Sequence, residues 1–388
     1  MAIMCAALLF TSSMYDDINF YYSKRNSLYI ENGFTANYAI SNNNYTEGEP
    51  QYVPDLSSNY IIDDYGLFKI IKVNSFTKND TVSAAYFAGV SQNKNLCLYL
   101  SDLDNGLTYS GNVKILGDKK LPSMEIQPKY IGNIQNNLES KGTITKSGRN
   151  LPMLTNGFEK IFAADYRLQV ETSDNSEPVE AGQQFNNSFL SPVKYFTLKN
   201  SVLENTSYTG NLILYANDSI VIKKSAILED VILIAPSIHF EAGFCGSVQA
   251  YATQKINVGE NAILKYPSVL AVKSDNLGDN MITIQEGAIV KGAVVLFNAM
   301  PNVIENTITL NKGSIVYGEV YCQGRLFSRG AVYGAVFTQK FFYSENASRY
   351  ENHIADTEIN IFKRPAYFVP ISIFQEKKHD YALVKKVW

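Results

Sequence analysis

The sequence predicts a mainly β protein, a right-handed parallel β-helix (β-solenoid) with an N-terminal α-helix and β-hairpin and a C-terminal capping segment. Three observations predict it. A phrase of alternating apolar and polar residues broken by a Gly, Asn or Ser turn recurs along the second half of the chain. Its copies are unequally spaced, which suits stacked coils whose corner loops vary in length. The repeat is bracketed by an apolar run at the start of the chain and by a non-repeating tail after Tyr343.

Residues 1–41 are expected to be helical. Met1 to Phe10 is unbroken apolar sequence, about half the length that spans a bilayer as a helix. It has neither the basic leading region nor the small-residue cleavage site of a secretory signal. Tyr21 and Tyr22 beside Lys24 and Arg25 suit a headgroup region. Two readings stand: the outer half of a truncated membrane anchor whose first residues precede Met1, or a helix laid against the β body.

Residues 42–94 read as an Asn-rich linker, Asn42 to Tyr52, followed by a hairpin whose strands 66–74 and 81–89 turn through Thr77 to Asp80. Residues 95–343 form the predicted β-helix. Gly117 to Pro122 is echoed by Ser147 to Pro152 and is taken as early, longer coils, with an insertion at about 156–191. The full phrase then appears around Ile222, Phe240, Val258, Ile284, Leu310 and Leu326, the apolar residues just before each turn, at separations of 18, 18, 26, 26 and 16. Side chains alternate across a strand, so Ile308 and Leu310 are expected inside the bore and Thr309 and Asn311 outside. Asn261, Gly287 and Gly313, with Ser225, stand where the chain turns its corner. Residues 344–388 are expected to cap the last coil, with Phe368, Ile371, Phe374 and Trp388 large enough to plug or flank it.

Charge is nearly balanced, 37 acidic against 34 basic residues, so the chain lacks the basic footprint of a nucleic-acid binder. Cys5, Cys97, Cys245 and Cys322 lie far apart, with no metal-ligand spacing. Cys245 and Cys322 fall in repeat strands, where a small buried residue or a bridge between the two are the readings. Glycoside hydrolysis needs paired carboxylates. Asp16-Asp17 and Asp63-Asp64 lie outside the repeat, and Glu229-Asp230 runs straight into an apolar strand without a second acidic pair at coil spacing. His239 points outward between Ile238 and Phe240, while His353 and His379 sit among ordinary polar neighbours of the tail. Phosphate-binding glycine loops are missing. No catalytic, cofactor-binding or metal-binding residue is therefore assigned.

The phrase Thr307 to Val320 and its copies resemble bactofilin-type polymer-forming β-helices. The order of apolar N-terminal helix, hairpin and β body resembles pilin-like and pseudopilin-like proteins. Leu228 to Pro236, followed by Gly243-Phe244 and Tyr266-Pro267-Ser268, looks like the corresponding phrase of uncharacterised bacterial envelope proteins. These resemblances imply a non-enzymatic structural or assembly protein of the cell envelope, on the periplasmic or surface side of the inner membrane with a single N-terminal anchor. Its partners would be proteins of an envelope assembly, or further copies of itself in self-association. The alternative is a carbohydrate-binding or carbohydrate-active β-helix whose polysaccharide site lies on the long loops 273–280 and 298–305.

Overall fold

The computed structural model describes every residue except 1, 42–45, 91–94, 132–134, 164–182, 199–200, 275–279, 299–305, 346–347, 370–372, 375–380 and 388. The fold is mainly β with an N-terminal helix, and it divides into two compact units. One comprises Met1–Ser91 with Lys378–Trp388, the other Gln92–Lys377.

In the first unit, helix α1 (Ala2–Ser41) precedes strands β1 (Glu47–Gly48), β2 (Ser57–Tyr65), β3 (Phe68–Phe76) and β4 (Thr81–Val90). The expected hairpin is present: Phe76 pairs with Thr81, and the Thr77 N–H donates to the Asp80 carbonyl at 2.8 Å across the turn. Strand β2 was not expected. Both carboxylates of its Asp63-Asp64 pair are exposed, Asp63 2.8 Å from Lys72 and Asp64 bonded to Lys69 on the neighbouring strand. Gly66 takes φ 60° in the two-residue turn that joins Tyr65 to Phe68. The described part of 42–94 thus forms a small antiparallel sheet, whose first strand, Glu47–Gly48, falls within the stretch expected as a linker. The C-terminal strand Tyr381–Lys386 completes that sheet by pairing antiparallel with β4.

The second unit is a solenoid-like stack of parallel strands. Ile222, Phe240, Val258, Ile284 and Leu310 fall in register one above another. The residue opposite Leu310 is Ser328, with Leu326 opposite Ile308, so the last interval is 18 residues and the earlier alignment on Leu326 slips by two. Inward and outward positions follow the expected alternation. Ile282, Ile284, Ile308 and Leu310 are fully buried, whereas Thr283 and Thr309 are only partly covered. Asn261, Gly287 and Gly313 turn their corners at φ 54°, 68° and 73°; Ser225 is not among the described residues with positive φ.

The order of coils differs from the order of the chain. Residues 96–146, expected as the first coils, lie beyond the last one: Val336, Phe337 and Thr338 pair with Leu98, Tyr99 and Leu100. Glu358 and Ile359 pair with Ala331 and Val332 on one side and with Lys114 and Ile115 on the other. One circuit is therefore composite, built from 353–360 and 96–100. The opposite end of the stack is Gln184–Asn187, Lys194–Thr197 and Val202–Leu203, which pair with Ser207–Gly210, Leu212–Tyr215 and Ser219–Ile222. The stretch expected as an insertion at 156–191 enters the stack with strand Gln184–Asn187. The described chain leading into it passes Tyr321, whose hydroxyl donates to the Pro152 carbonyl at 3.2 Å. It then passes Phe297, 5.8 Å from Phe158 of helix α2 (Asn156–Ala163), and Tyr251, 5.8 Å from Phe162. A backbone that must return from one end to the other can hide its apolar residues only by lying on the coils.

The tail is not a terminal cap. Residues 353–360 continue the stack, 361–369 and 373–374 lie on its flank, and 381–386 belongs to the first unit. Phe368 stacks on Tyr266 at 4.1 Å and Phe374 rests against Phe337 at 4.6 Å, so these two flank the coils as expected. Ile371 and Trp388 lie outside the described residues. Cys97 and Cys322 are buried and Cys245 is exposed, all three as free thiols. The bridge between Cys245 and Cys322 is therefore excluded, and so is burial of Cys245.

Candidate assembly surface

Helix α1 is one continuous helix with two different environments. From Leu28 onward it binds the sheet: Leu28, Glu31, Asn32, Thr35, Ala36 and Ala39 are all buried. At 100° per residue these positions form one stripe, and Ala36 and Ala39 meet Tyr60, Ile71, Val73 and Ala88. Three polar residues in the stripe orient it. The Asn32 amide donates to the Val73 and Val82 carbonyls at 3.2 Å each and accepts from the Tyr86 hydroxyl at 3.1 Å. The Glu31 carboxylate accepts from the Tyr52 and Val53 N–H groups at 3.0 and 2.8 Å and from the Ser58 hydroxyl at 3.0 Å. Thr35 donates to Ser58 at 2.7 Å. Sequence inspection treated this stretch only as helix-compatible; the signal available was the 28, 32, 35/36, 39 spacing.

From Phe10 to Asn26 no residue of α1 is buried. Yet the apolar stripe continues. Phe10, Met14, Ile18 and Tyr21 fall within about 80° of arc, on the side that Leu28, Asn32 and Ala39 occupy further along, and each is 47–66% exposed. Asp16, Asn19 and Ser23 lie on the opposite side, Asp17 borders the stripe, and Tyr15, Phe20 and Tyr22 are exposed outside it. Arg25 closes the stripe, donating to the Tyr21 hydroxyl at 2.7 Å. Hydrogen bonds with Tyr29 and Tyr21 hold its guanidinium above its ordinary pKa. Among the described residues no helix is long and apolar enough to cross a membrane.

The residues weighed for chemistry are dispersed. Asp16 and Asp17 are exposed on α1, while Asp63 and Asp64 are held by the sheet lysines. Glu229 lies 3.7 Å from Lys265, and Asp230, at φ 60°, accepts from the Ser247 hydroxyl. Among the described residues no three His, Cys, Asp or Glu side chains are placed to share a metal ion. His239 is exposed, 2.8 Å from the Asn257 amide; His379 lies outside the described residues. His353 differs from expectation. It is buried, with Nδ1 2.9 Å from the Thr108 hydroxyl and Nε2 2.9 Å from that of Ser110, at the seam where the two sequence-distant strands meet. Its signal was absent from the sequence because Thr108 and Ser110 lie more than 240 residues away. The loops 273–280 and 298–305 fall mostly outside the described residues.

No family model matches the sequence, and no curated protein matches it. Among solved structures, the competence-associated pilin ComZ from Thermus thermophilus aligns at a TM-score of 0.17 with 10% identity, over 87% of this chain and 88% of that one. A likeness of that size carries no argument about fold or function.

Proposed function

We propose that this chain is a non-enzymatic structural or assembly protein of the bacterial cell envelope, with a pilin-like first unit and a right-handed β-helix as its second. The observation that carries the reading is the first half of α1, where an apolar stripe aligned with the sheet-bound stripe has no buried residue from Phe10 to Asn26. Burying four such side chains against another surface would contribute roughly 1.5–3 kcal/mol each, enough to drive docking onto a membrane or onto other copies. The antiparallel sheet holds the other half of the helix rigid. Unequal circuits of 18 and 26 residues support a β-helix of the right-handed kind over a constant-length hexapeptide coil. The bactofilin-type phrase supports a rigid body suited to self-association.

The test is a pair of charge substitutions on exposed positions, Met14→Asp with Ile18→Asp. The parent protein should sediment with anionic vesicles or assemble with rising concentration, and the double variant should do neither while melting at the same temperature. A parent chain that stays monomeric and unbound under both conditions sinks the proposal.

A further inference from the structure

Beyond assembly, the geometry points to a small-molecule site on the flank of the stack, for a carboxylated pyranose such as a uronate unit of an acidic polysaccharide. Strand Ala331–Glu345 leaves the stack near its end, and Ser348–Glu351 folds back on it antiparallel. This arm stands beside the outer face of the preceding circuits and closes a corner of about 180 Å³. That volume is below the roughly 300–1,000 Å³ that encloses a drug-sized molecule. It suits a single sugar ring, with the rest of a chain running out along the flat face.

The lining matches that ligand group by group. Phe327, Phe342 and Tyr343 form its aromatic wall, with the Phe327 and Phe342 rings 5.5 Å apart. Phe327 is only partly covered, leaving ring surface for the apolar C–H face of a pyranose. Thr309 and Asn311, on the strand beside Phe327 and Arg329, add a hydroxyl and an amide that bond sugar hydroxyls, whereas the Ser328 hydroxyl is turned to Thr357 at 3.0 Å. A cation of the lining selects the charge. Arg329 is exposed, 5.5 Å from the Tyr343 ring centroid with Nη2 donating to the Ser344 carbonyl at 3.1 Å; Arg325, outside the lining, lies 4.7 Å from the Phe342 ring. A guanidinium has five N–H donors in a planar fork, so Arg329 already oriented by one bond retains donors for a carboxylate. The lining contains no acidic side chain. The acid next along the arm, Glu345, accepts from the Tyr343 hydroxyl at 3.0 Å.

The inference is independent of the assembly reading, because the corner and the exposed half of α1 belong to different units. Full-length protein should bind trigalacturonate saturably by calorimetry and show saturation transfer to the sugar ring protons. Arg329→Gln and Phe327→Ala should each weaken binding by about tenfold or more, equal to about 1.4 kcal/mol, and neutral galactotriose should bind about tenfold more weakly than the uronate. The Met14→Asp, Ile18→Asp double variant should bind as the parent does, which separates this site from assembly. Phe327→Ala is backed by the exposed Arg329→Gln in case the first unfolds. Absence of saturable binding, equal affinity for galactotriose or inorganic phosphate, or indifference to Arg329→Gln in a folded variant would each overturn the assignment.

Discussion

Ile308 and Thr309 are adjacent in sequence and opposite in environment, the first fully buried and the second on the outer face. Ile308→Asp puts a carboxylate in a dry bore and should lower stability by roughly 4 kcal/mol or more. Thr309→Asp should change it by no more than about 0.5 kcal/mol. Thermal unfolding of the two variants checks the assignment, and the reverse order would mean a register error of one residue. His353 makes a second prediction. Burial first, and then the Lys129 charge, lower its pKa from 6.5 to about 4, with Glu345 opposing and the Tyr343 and Tyr350 rings against it. The unfolded chain therefore binds more protons than the folded one between those two values. The stability that depends on neutral His353 is complete above about pH 6.5, falls as pH drops towards 4 and is gone below it. Its size is on the order of 3 kcal/mol. His353→Gln should flatten that stretch of a denaturation-against-pH curve; an unchanged slope would show that other groups produce it.

At the scale of the element, α1 and the C-terminal strand show what propensity leaves open. Asn32 is a poor residue for a helix interior by propensity, but it closes two strand carbonyls and one tyrosine hydroxyl at once. Asn32→Ala leaves those groups buried without it and should cost about 1–3 kcal/mol in urea unfolding. A loss well below that range would mean water replaces the amide. The C-terminal strand covers the edge of β4. Deleting 378–388 should leave unpaired N–H and C=O groups along the Tyr86–Val90 edge of β4, and light scattering should then report oligomers. A truncated chain that stays monomeric would show that the edge is protected some other way.

Across the whole molecule, the stack closes through contacts between residues distant in sequence. The Thr108 hydroxyl donates to the Asn352 carbonyl, 244 positions away, and 96–100 completes the circuit begun by 353–360. Such long-range pairing slows folding, because a long loop must close before any of its contacts form. Removing 92–146 should expose the strand edges at 336–338 and 358–360, giving aggregation-prone protein by size-exclusion chromatography. A soluble, well-ordered remainder would mean that these coils are an appendage to the stack.

The local pattern was legible without a structure. Apolar alternation identified the strands around Ile284 and Leu310 and their inward faces, and Thr77 to Asp80 identified a hairpin, because strand period and turn chemistry act over a few residues. Gly287 and Gly313 marked corners for the same reason. The docked half of α1 could have been read from its spacing, but the partners of Glu31 and Asn32 could not. What the tertiary structure decided is everything that joins distant residues. This includes the placement of 96–146 after the last coil, the departure of 381–386 to the first sheet, the burial of His353 and the corner between Thr309 and Tyr343. Periodicity specifies which face of a strand is apolar, whereas the choice of neighbouring strand depends on which edges remain unpaired once the others have stacked. That competition is settled only in three dimensions.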